Sequence, residues 1–66
     1  MEITVNGKKH ALGKMCTVDA LVESLQLDRT RVAVEQNGAI VPKSTHASTA
    51  LNDGDVIEIV HFIGGG

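Results

Sequence analysis

The stretch DVIEIVHFIGGG, residues 55–66, is an apolar run that ends in three glycines. Its β-branched residues favour a strand, and alternation with a period of two places Ile57 and Ile59 on one face, with Glu58 and Val60 on the other. Apolar side chains on both faces are typical of a strand that has neighbours on both sides. The stretch therefore predicts a central strand followed by a tail of glycines.

Two Asn-Gly dipeptides mark tight turns between short segments of alternating apolar and polar residues. Asn6-Gly7 separates EITV from KKHAL, and Asn37-Gly38 separates VAVEQ from AIV. Asn and Gly tolerate the positive φ angles of a two-residue hairpin turn. Charged residues on the second arm of the first hairpin are typical of a sheet edge, and Pro42 ends the second hairpin. The sequence thus predicts two β-hairpins.

Between the hairpins, VDALVESLQL has the spacing of an amphipathic helix. Val18, Leu21, Val22 and Leu25 recur at i, i+3, i+4 and i+7, which places them on one face. Thr17 precedes the run and has a side chain suited to capping the first turn. We expect a helix of about two turns that buries this face.

The segment between the second hairpin and the last strand contains few large apolar residues. Its KSTHASTA part, residues 43–50, predicts an irregular connector with a turn of helix, and Leu51 beyond it is expected in the core. Asp53 and Asp55 flank Gly54, and we assign these carboxylates to a tight turn rather than to catalysis.

The predicted order of elements is strand, strand, helix, strand, short strand, strand. One helix can bury its apolar stripe against such strands only if they form a single curled sheet. We therefore predict an α+β fold of the ubiquitin-like β-grasp type, a mixed sheet of four to five strands over one helix. The last strand is expected to lie centrally, parallel to the first. Residues 1–63 would form the domain and residues 64–66 a flexible glycine tail.

Composition limits the class of protein. A chain of 66 residues holds one domain, and 42% hydrophobic with 21% charged residues is globular composition. Six Lys and Arg against eight Asp and Glu, with Phe62 as the single aromatic residue, provide neither a basic surface nor a stacking platform, so we expect no nucleic acid partner. We also expect no membrane partner, because no segment resembles a signal peptide or a membrane span. The lone Cys16 favours a reducing compartment, and we expect a cytoplasmic protein.

Glycines 64–66 are the feature that suggests chemistry. Lacking Cβ atoms, they permit many backbone conformations and could thread through a narrow channel into the active site of another protein. A frayed chain end is the alternative explanation. A terminal carboxylate is a poor electrophile, and ATP-dependent adenylation is its simplest activation. Because the chain has no phosphate-binding motif, we expect no cofactor on the chain itself and assign the ATP to an activating partner.

Three segments together carry a family resemblance: VNG in the first hairpin, VAVEQNGAIVP in the second, and LNDGDVIEIVHFIGGG at the end. Across its whole length the chain resembles the ThiS family, the sulfur carriers of thiamine biosynthesis. The resemblance implies that a ThiF-like enzyme adenylates the C-terminal glycine and that a cysteine-derived persulfide converts it to a thiocarboxylate. A ThiG-like thiazole synthase would then accept the sulfur. The chain would be a carrier and co-substrate, not an enzyme.

The resemblance also implies roles for particular residues. Gly66 would bear the adenylate and then the sulfur, with Gly65 as the second member of the diglycine and Gly64 as an additional glycine.

Partner recognition is expected on the face of the last strand that turns away from the helix. The predicted interface consists of Glu58, Val60, Phe62 and Ile63, with Phe62 as its anchor. Alternatively, Phe62 packs as an ordinary core residue under the KSTHASTA connector.

Other reactive side chains form no recognisable site. Cys16 could carry a persulfide near a helix N-terminus, but no His or second Cys lies near it in sequence. His10, His46 and His61 lack the spacing of a metal site, and we expect them at the surface or in an interface. Two other functions stay open: a carrier like the small subunit of molybdopterin synthase, and a β-grasp binding module that carries no sulfur.

Overall fold

The computed structural model of the chain describes residues 1–14 and 16–62, which form five strands, one α-helix and one 3₁₀ turn. The strands are β1 (Glu2–Val5), β2 (Lys8–Ala11), β3 (Val32–Gln36), β4 (Ala39–Val41) and β5 (Val56–His61). The helix α1 covers Val18–Ser24, and the 3₁₀ turn covers Lys43–Thr45. The predicted order of elements is confirmed. Ile63 and the predicted tail at 64–66 lie outside the described residues.

The strands belong to one mixed sheet in the order β2-β1-β5-β3-β4. Strand β5 runs parallel to β1, with Val5 opposite Ile57, and antiparallel to β3, with Val34 opposite Ile59. The other two pairs are the antiparallel hairpins. The predicted central position of β5, with a hydrogen-bonded neighbour on each side, is confirmed. The sheet and the helix make the predicted ubiquitin-like β-grasp fold.

The two Asn-Gly turns also bind the central strand. Asn6 and Asn37 have φ angles of 49° and 52°, and the glycines after them have 83° and 84°, as the two-residue hairpin turn requires. The Asn6 amide donates to the Ile59 carbonyl at 3.1 Å, and its side-chain oxygen accepts from the Ile59 N–H at 2.8 Å. The Asn37 side-chain oxygen accepts from the Val56 N–H at 2.9 Å. Each turn therefore stabilises β5 as well as its own hairpin.

Helix α1 shares one hydrophobic core with the inner face of the sheet. Thr17 caps the helix as predicted, and its hydroxyl oxygen accepts from the Ala20 N–H at 3.2 Å. The buried residues of α1 are Val18, Leu21 and Val22. The strands and the connector supply the rest of the core: Ile3, Val5, Val32, Val34, Val41, Leu51, Ile57 and Ile59. Within residues 1–14 and 16–62, no helix is long and apolar enough to cross a membrane.

The connector after β4 packs more closely than the sequence predicts. The expectation that His46 lies at the surface is wrong: its side chain is buried, and its Nε2 atom lies 3.1 Å from the Val41 carbonyl oxygen. The carbonyls of His46 and Thr49 accept from the Asp19 and Val18 N–H groups at 2.9 Å. The first N–H groups of a helix lack partners within the helix, and the connector carbonyls supply them. These bonds hold the connector against α1, and in this position His46 lies beside β4.

The tight turn predicted at Gly54 is confirmed by a φ angle of 85°. A network of side-chain hydrogen bonds also lies next to this turn. The Asp55 side chain after it is only 6% exposed. Its carboxylate accepts hydrogen bonds from the Asn52 N–H and from the amides of Gln36 and Asn37, at 2.8 to 2.9 Å. Burial alone would raise the pKa of Asp55, but these hydrogen bonds outweigh burial and hold the pKa below its usual value. Asp55 thus ties β3 and its turn to the start of β5.

We predict that Asp55→Asn destabilises the fold by about 1–3 kcal/mol at neutral pH, because one amide oxygen cannot replace a carboxylate that accepts three hydrogen bonds. Since folding lowers the pKa of Asp55, its stabilisation is present above the pKa of an unfolded aspartate, about 4. It is lost as the pH falls through the lower folded pKa. Urea unfolding at a series of pH values measures both effects.

Asp53→Asn is the matched control, because the Asp53 carboxylate accepts from the exposed Glu2 N–H at 2.7 Å and lies at the surface. We expect a smaller loss of stability there, because the Asp53 side chain accepts a hydrogen bond at the surface. Equal losses at the two positions would contradict the role assigned to Asp55.

Candidate functional site

The predicted site has two parts, the glycines at 64–66 and the outer face of β5. The structure describes β5 and Phe62, which lead to the glycines. The Phe62 N–H donates to the carbonyl of Arg31, the residue before β3, at 2.7 Å. Hydrogen bonding between these two segments therefore continues as far as the last described residue. The sheet therefore fixes the position from which residue 63 follows.

The outer face of β5 presents apolar side chains to solvent. Along the strand, Ile57 and Ile59 are buried, whereas Glu58 and Val60 are exposed. Val60 is 57% exposed and Phe62 is 55% exposed. Phe62 is therefore not an ordinary core residue, which removes the alternative explanation of this side chain. The described residues of the predicted interface lie on one open surface.

Strands β3 and β4 add residues that the sequence analysis did not identify. Ala33 lies opposite Val60, and Ile40, which is 67% exposed, lies opposite Glu35. We call Ala33, Ile40, Val60 and Phe62 the outer apolar patch. The Asn-Gly turn could have indicated Ile40, because a two-residue turn fixes the hairpin register, and alternation within β4 then turns Ile40 outward.

An open groove of about 270 Å³ borders the outer apolar patch. The residues that line it include Ala33, Ile40, Pro42, Lys43 and Phe62. Because the Ala33 side chain ends at Cβ, it leaves room between the larger side chains around it. The groove is smaller than a typical cofactor site, and its volume suits a side chain of another protein.

Two carboxylates lie beside this patch without a basic neighbour. Glu35 on β3 is directly opposite Glu58 on β5, and we call these two residues the glutamate pair. Within the described part of the chain, neither has a Lys, Arg or His partner within 4.0 Å, whereas Glu2 on the same face has Lys9 at 4.0 Å. Like charges directly opposite each other in a sheet are destabilising. The glutamate pair is therefore not explained by the stability of the fold.

The other reactive side chains do not converge on this surface. Cys16 is half-buried and packs against the core before α1. His10 and His61 are also half-buried, and the buried Nε2 atom of His61 has no hydrogen-bond partner among the described residues. Across residues 1–14 and 16–62, no three His, Cys, Asp or Glu side chains are placed to hold a metal ion.

Comparison with known proteins gives a consistent result. The chain matches the model of the ThiS family over residues 1–66. A Bacillus subtilis protein named sulfur carrier protein ThiS is 48% identical over 50 residues, which are 76% of each chain. A protein of Paramagnetospirillum magneticum named thiazole synthase is 50% identical over all 66 residues of this chain. The chain spans only 20% of the length of that thiazole synthase.

A solved structure gives the same picture of the fold. The crystal structure of the thiamine biosynthesis protein ThiS from Geobacter metallireducens matches with a TM-score of 0.83 and 33% sequence identity, and the match covers 100% of both chains. The arrangement of five strands and one helix is thus that of this solved relative.

The exposure of Val60 predicts that polar substitution there leaves the fold intact. Val60→Thr keeps the branched shape and is expected to change the free energy of unfolding by less than about 0.5 kcal/mol. The same substitution at Val34, which is fully buried on the inner face, is expected to cost about 1–3 kcal/mol because it buries a hydroxyl group. Urea unfolding of the two variants makes the comparison. Similar losses at both positions would mean that Val60 is covered in solution.

Proposed function

The chain belongs to the ThiS family, and we propose that it is a sulfur carrier of thiamine biosynthesis in which the Gly66 carboxyl group carries the sulfur. The observation on which the proposal rests is the family match over residues 1–66, which includes the glycines. The relative named sulfur carrier protein ThiS supports the same function. The family match favours this carrier over the small subunit of molybdopterin synthase.

The proposed chemistry takes place at the main chain and needs no catalytic side chain on the carrier. A carboxylate oxygen of Gly66 attacks the α-phosphorus of ATP, pyrophosphate leaves, and an acyl adenylate forms. The terminal sulfur of a cysteine-derived persulfide then attacks the acyl carbon, and AMP leaves. A second thiol attacks the donor cysteine's own sulfur, which breaks its bond to the transferred sulfur; the thiocarboxylate leaves, and a disulfide joins the second thiol to the donor cysteine. The two activation steps are assigned to a ThiF-like partner, which also binds the ATP.

Glycine suits the tail for a steric reason. Gly64, Gly65 and Gly66 have no Cβ atoms, so a channel that admits only a bare main chain would accept them and exclude other residues. The folded domain then has to be held at the mouth of that channel. We propose that Glu58, Val60, Phe62 and Ile63 contribute to this docking, together with the rest of the outer apolar patch.

Thiazole synthase is the proposed acceptor of the sulfur. The Paramagnetospirillum magneticum protein with that name contains a region similar to this whole chain within a much longer protein. Covalent linkage raises the effective concentration of two modules that must meet, so a carrier-like region in a thiazole synthase supports a working contact between the two. We propose that the present chain delivers its sulfur to such an enzyme.

The proposal predicts that the purified chain, incubated with a ThiF-like enzyme, MgATP and a cysteine-derived persulfide donor, exchanges one oxygen for sulfur. Mass spectrometry of the intact chain should show the increase, and fragmentation should place it at Gly66. Fragmentation is needed because oxidation of Met1 or Met15 adds a nearly equal mass. Omission of ATP is the control and should abolish the change. An unchanged mass with an active partner, or sulfur found only on Cys16, would contradict the proposal.

A second prediction separates the tail from the fold. Among the described residues the buried core lies between residues 3 and 59, so removal of residues 64–66 should leave the thermal unfolding temperature unchanged while adenylation is lost. Cys16→Ser should keep both the fold and the formation of the thiocarboxylate. ATP–pyrophosphate exchange and thermal unfolding by circular dichroism measure the two properties. Full exchange by the shortened chain, or loss of sulfur transfer in Cys16→Ser, would refute the assignment to Gly66.

A further inference from the structure

We propose that the glutamate pair, Glu35 and Glu58, receives a basic side chain of the activating partner, while the groove at Ala33 receives a neighbouring apolar side chain of the same partner. This inference rests on the proposed function, because it names the chemistry of the partner that docks on the same surface.

The first argument is the unrelieved repulsion within the glutamate pair. Glu35 and Glu58 are cross-strand partners in the register of β3 and β5, and no basic side chain of the described residues lies within 4.0 Å of either. The same face pairs Thr4 with Lys9 across β1 and β2, so the sheet does accommodate basic residues elsewhere. A lysine or arginine placed between the two carboxylates would relieve the repulsion and form charge-assisted hydrogen bonds.

The second argument is the groove at Ala33, on the same strand as Glu35. Ala33 precedes Glu35 by two residues on β3, so the two side chains lie on the same face about 7 Å apart along the strand. A partner segment that fits both features therefore presents an apolar side chain and a basic side chain at that separation. Two alternate residues of an extended segment have this spacing. The apolar contact supplies affinity, and the charge fixes the register of docking.

The third argument is the charge of the whole chain. The carrier has a net charge of −2, and the proposed reaction brings its carboxylate together with ATP in one partner site. A partner that binds these anions gains affinity for the carrier from basic groups on its docking surface. Such groups also accelerate association. In the proposed order of reactions, the activating enzyme is the first partner and the one that binds the carboxylate together with ATP. The proposal therefore assigns the surface to the activating enzyme.

The test compares charge removal at two places on the carrier. Glu58→Gln and the double variant Glu35→Gln/Glu58→Gln remove charge from the glutamate pair, and Glu23→Gln removes one charge from helix α1. ATP–pyrophosphate exchange with the activating enzyme gives kcat and the KM for the carrier at several salt concentrations. We expect the double variant to raise KM about tenfold, with kcat unchanged and a weaker dependence on salt, while Glu23→Gln resembles the wild type.

Thermal unfolding distinguishes docking from a structural role. Since the two charges repel each other, the double variant should unfold at the same temperature as the wild type or higher. A double variant that matches Glu23→Gln in KM and salt dependence would overturn the inference while leaving the proposed function intact. Exchange that is absent even in the wild type would instead overturn the proposed function. The double variant could instead show a normal KM in ATP–pyrophosphate exchange and a raised KM in sulfur transfer to thiazole synthase. That result would assign the glutamate pair to thiazole synthase and refute the proposal.

The groove is tested by filling it. Ala33→Leu should raise the KM for the carrier in the same exchange assay, again with kcat unchanged, because the added side chain occupies the space that the partner needs. Sedimentation of the wild-type carrier alone should show a monomer. A wild-type dimer that Ala33→Leu disrupts would identify a second copy of the chain as the occupant, and an unchanged KM would show that the groove stays empty; either result overturns the proposal.

Discussion

Hydrogen bonding along both edges of β5 organises the whole molecule. Its neighbours are β1, which is parallel, and β3, which is antiparallel. A tight turn cannot join parallel neighbours, so the chain between β1 and β5 has to form a long crossover, and it uses that length to build the helix and the second hairpin. Asn6 and Asn37 then bond their side chains to β5, which ties both hairpin turns to the same strand. Alternation along β5 finally divides its residues between the core and the open face.

Structural features that depend on residues close together in sequence could be predicted. Features that depend on contacts between distant segments of the chain could not. The Asn-Gly turns, the cap at Thr17 and the strand character of β5 depend on residues that are close in sequence, and the structure has all three. The position of His46 depends on the acceptors that the first turn of α1 needs, which no pattern around His46 reveals. Likewise, the turn at Asp55 was apparent, but its bonds to Gln36 and Asn37 required the pairing of β3 with β5.

The candidate site shows the same division. The outward direction of Val60 follows from alternation within one strand, and so it could be predicted. The neighbours Ala33 and Glu35 depend on the register between β3 and β5, two strands that are far apart in sequence. A shift of one residue in that register would have turned other side chains toward Val60 and Glu58. The proposed role of the glycines at 64–66 rests on family membership and on the steric properties of glycine, and so has a different basis from the surface on β5.

The distance between the surface and the tail limits where a partner can carry out chemistry. Hydrogen bonding to Arg31 holds the main chain at Phe62 in place, and Gly66 is the fourth residue after Phe62. A fully extended chain advances at most about 3.5 Å per residue, so the Gly66 carboxyl group can reach no more than about 14 Å from Phe62. If the outer apolar patch binds an enzyme as proposed, that enzyme must therefore place its reactive groups within this distance of Phe62. In the proposed function, the sheet and the number of residues after Phe62 would therefore set the largest distance between the docking surface and the active site of each partner enzyme.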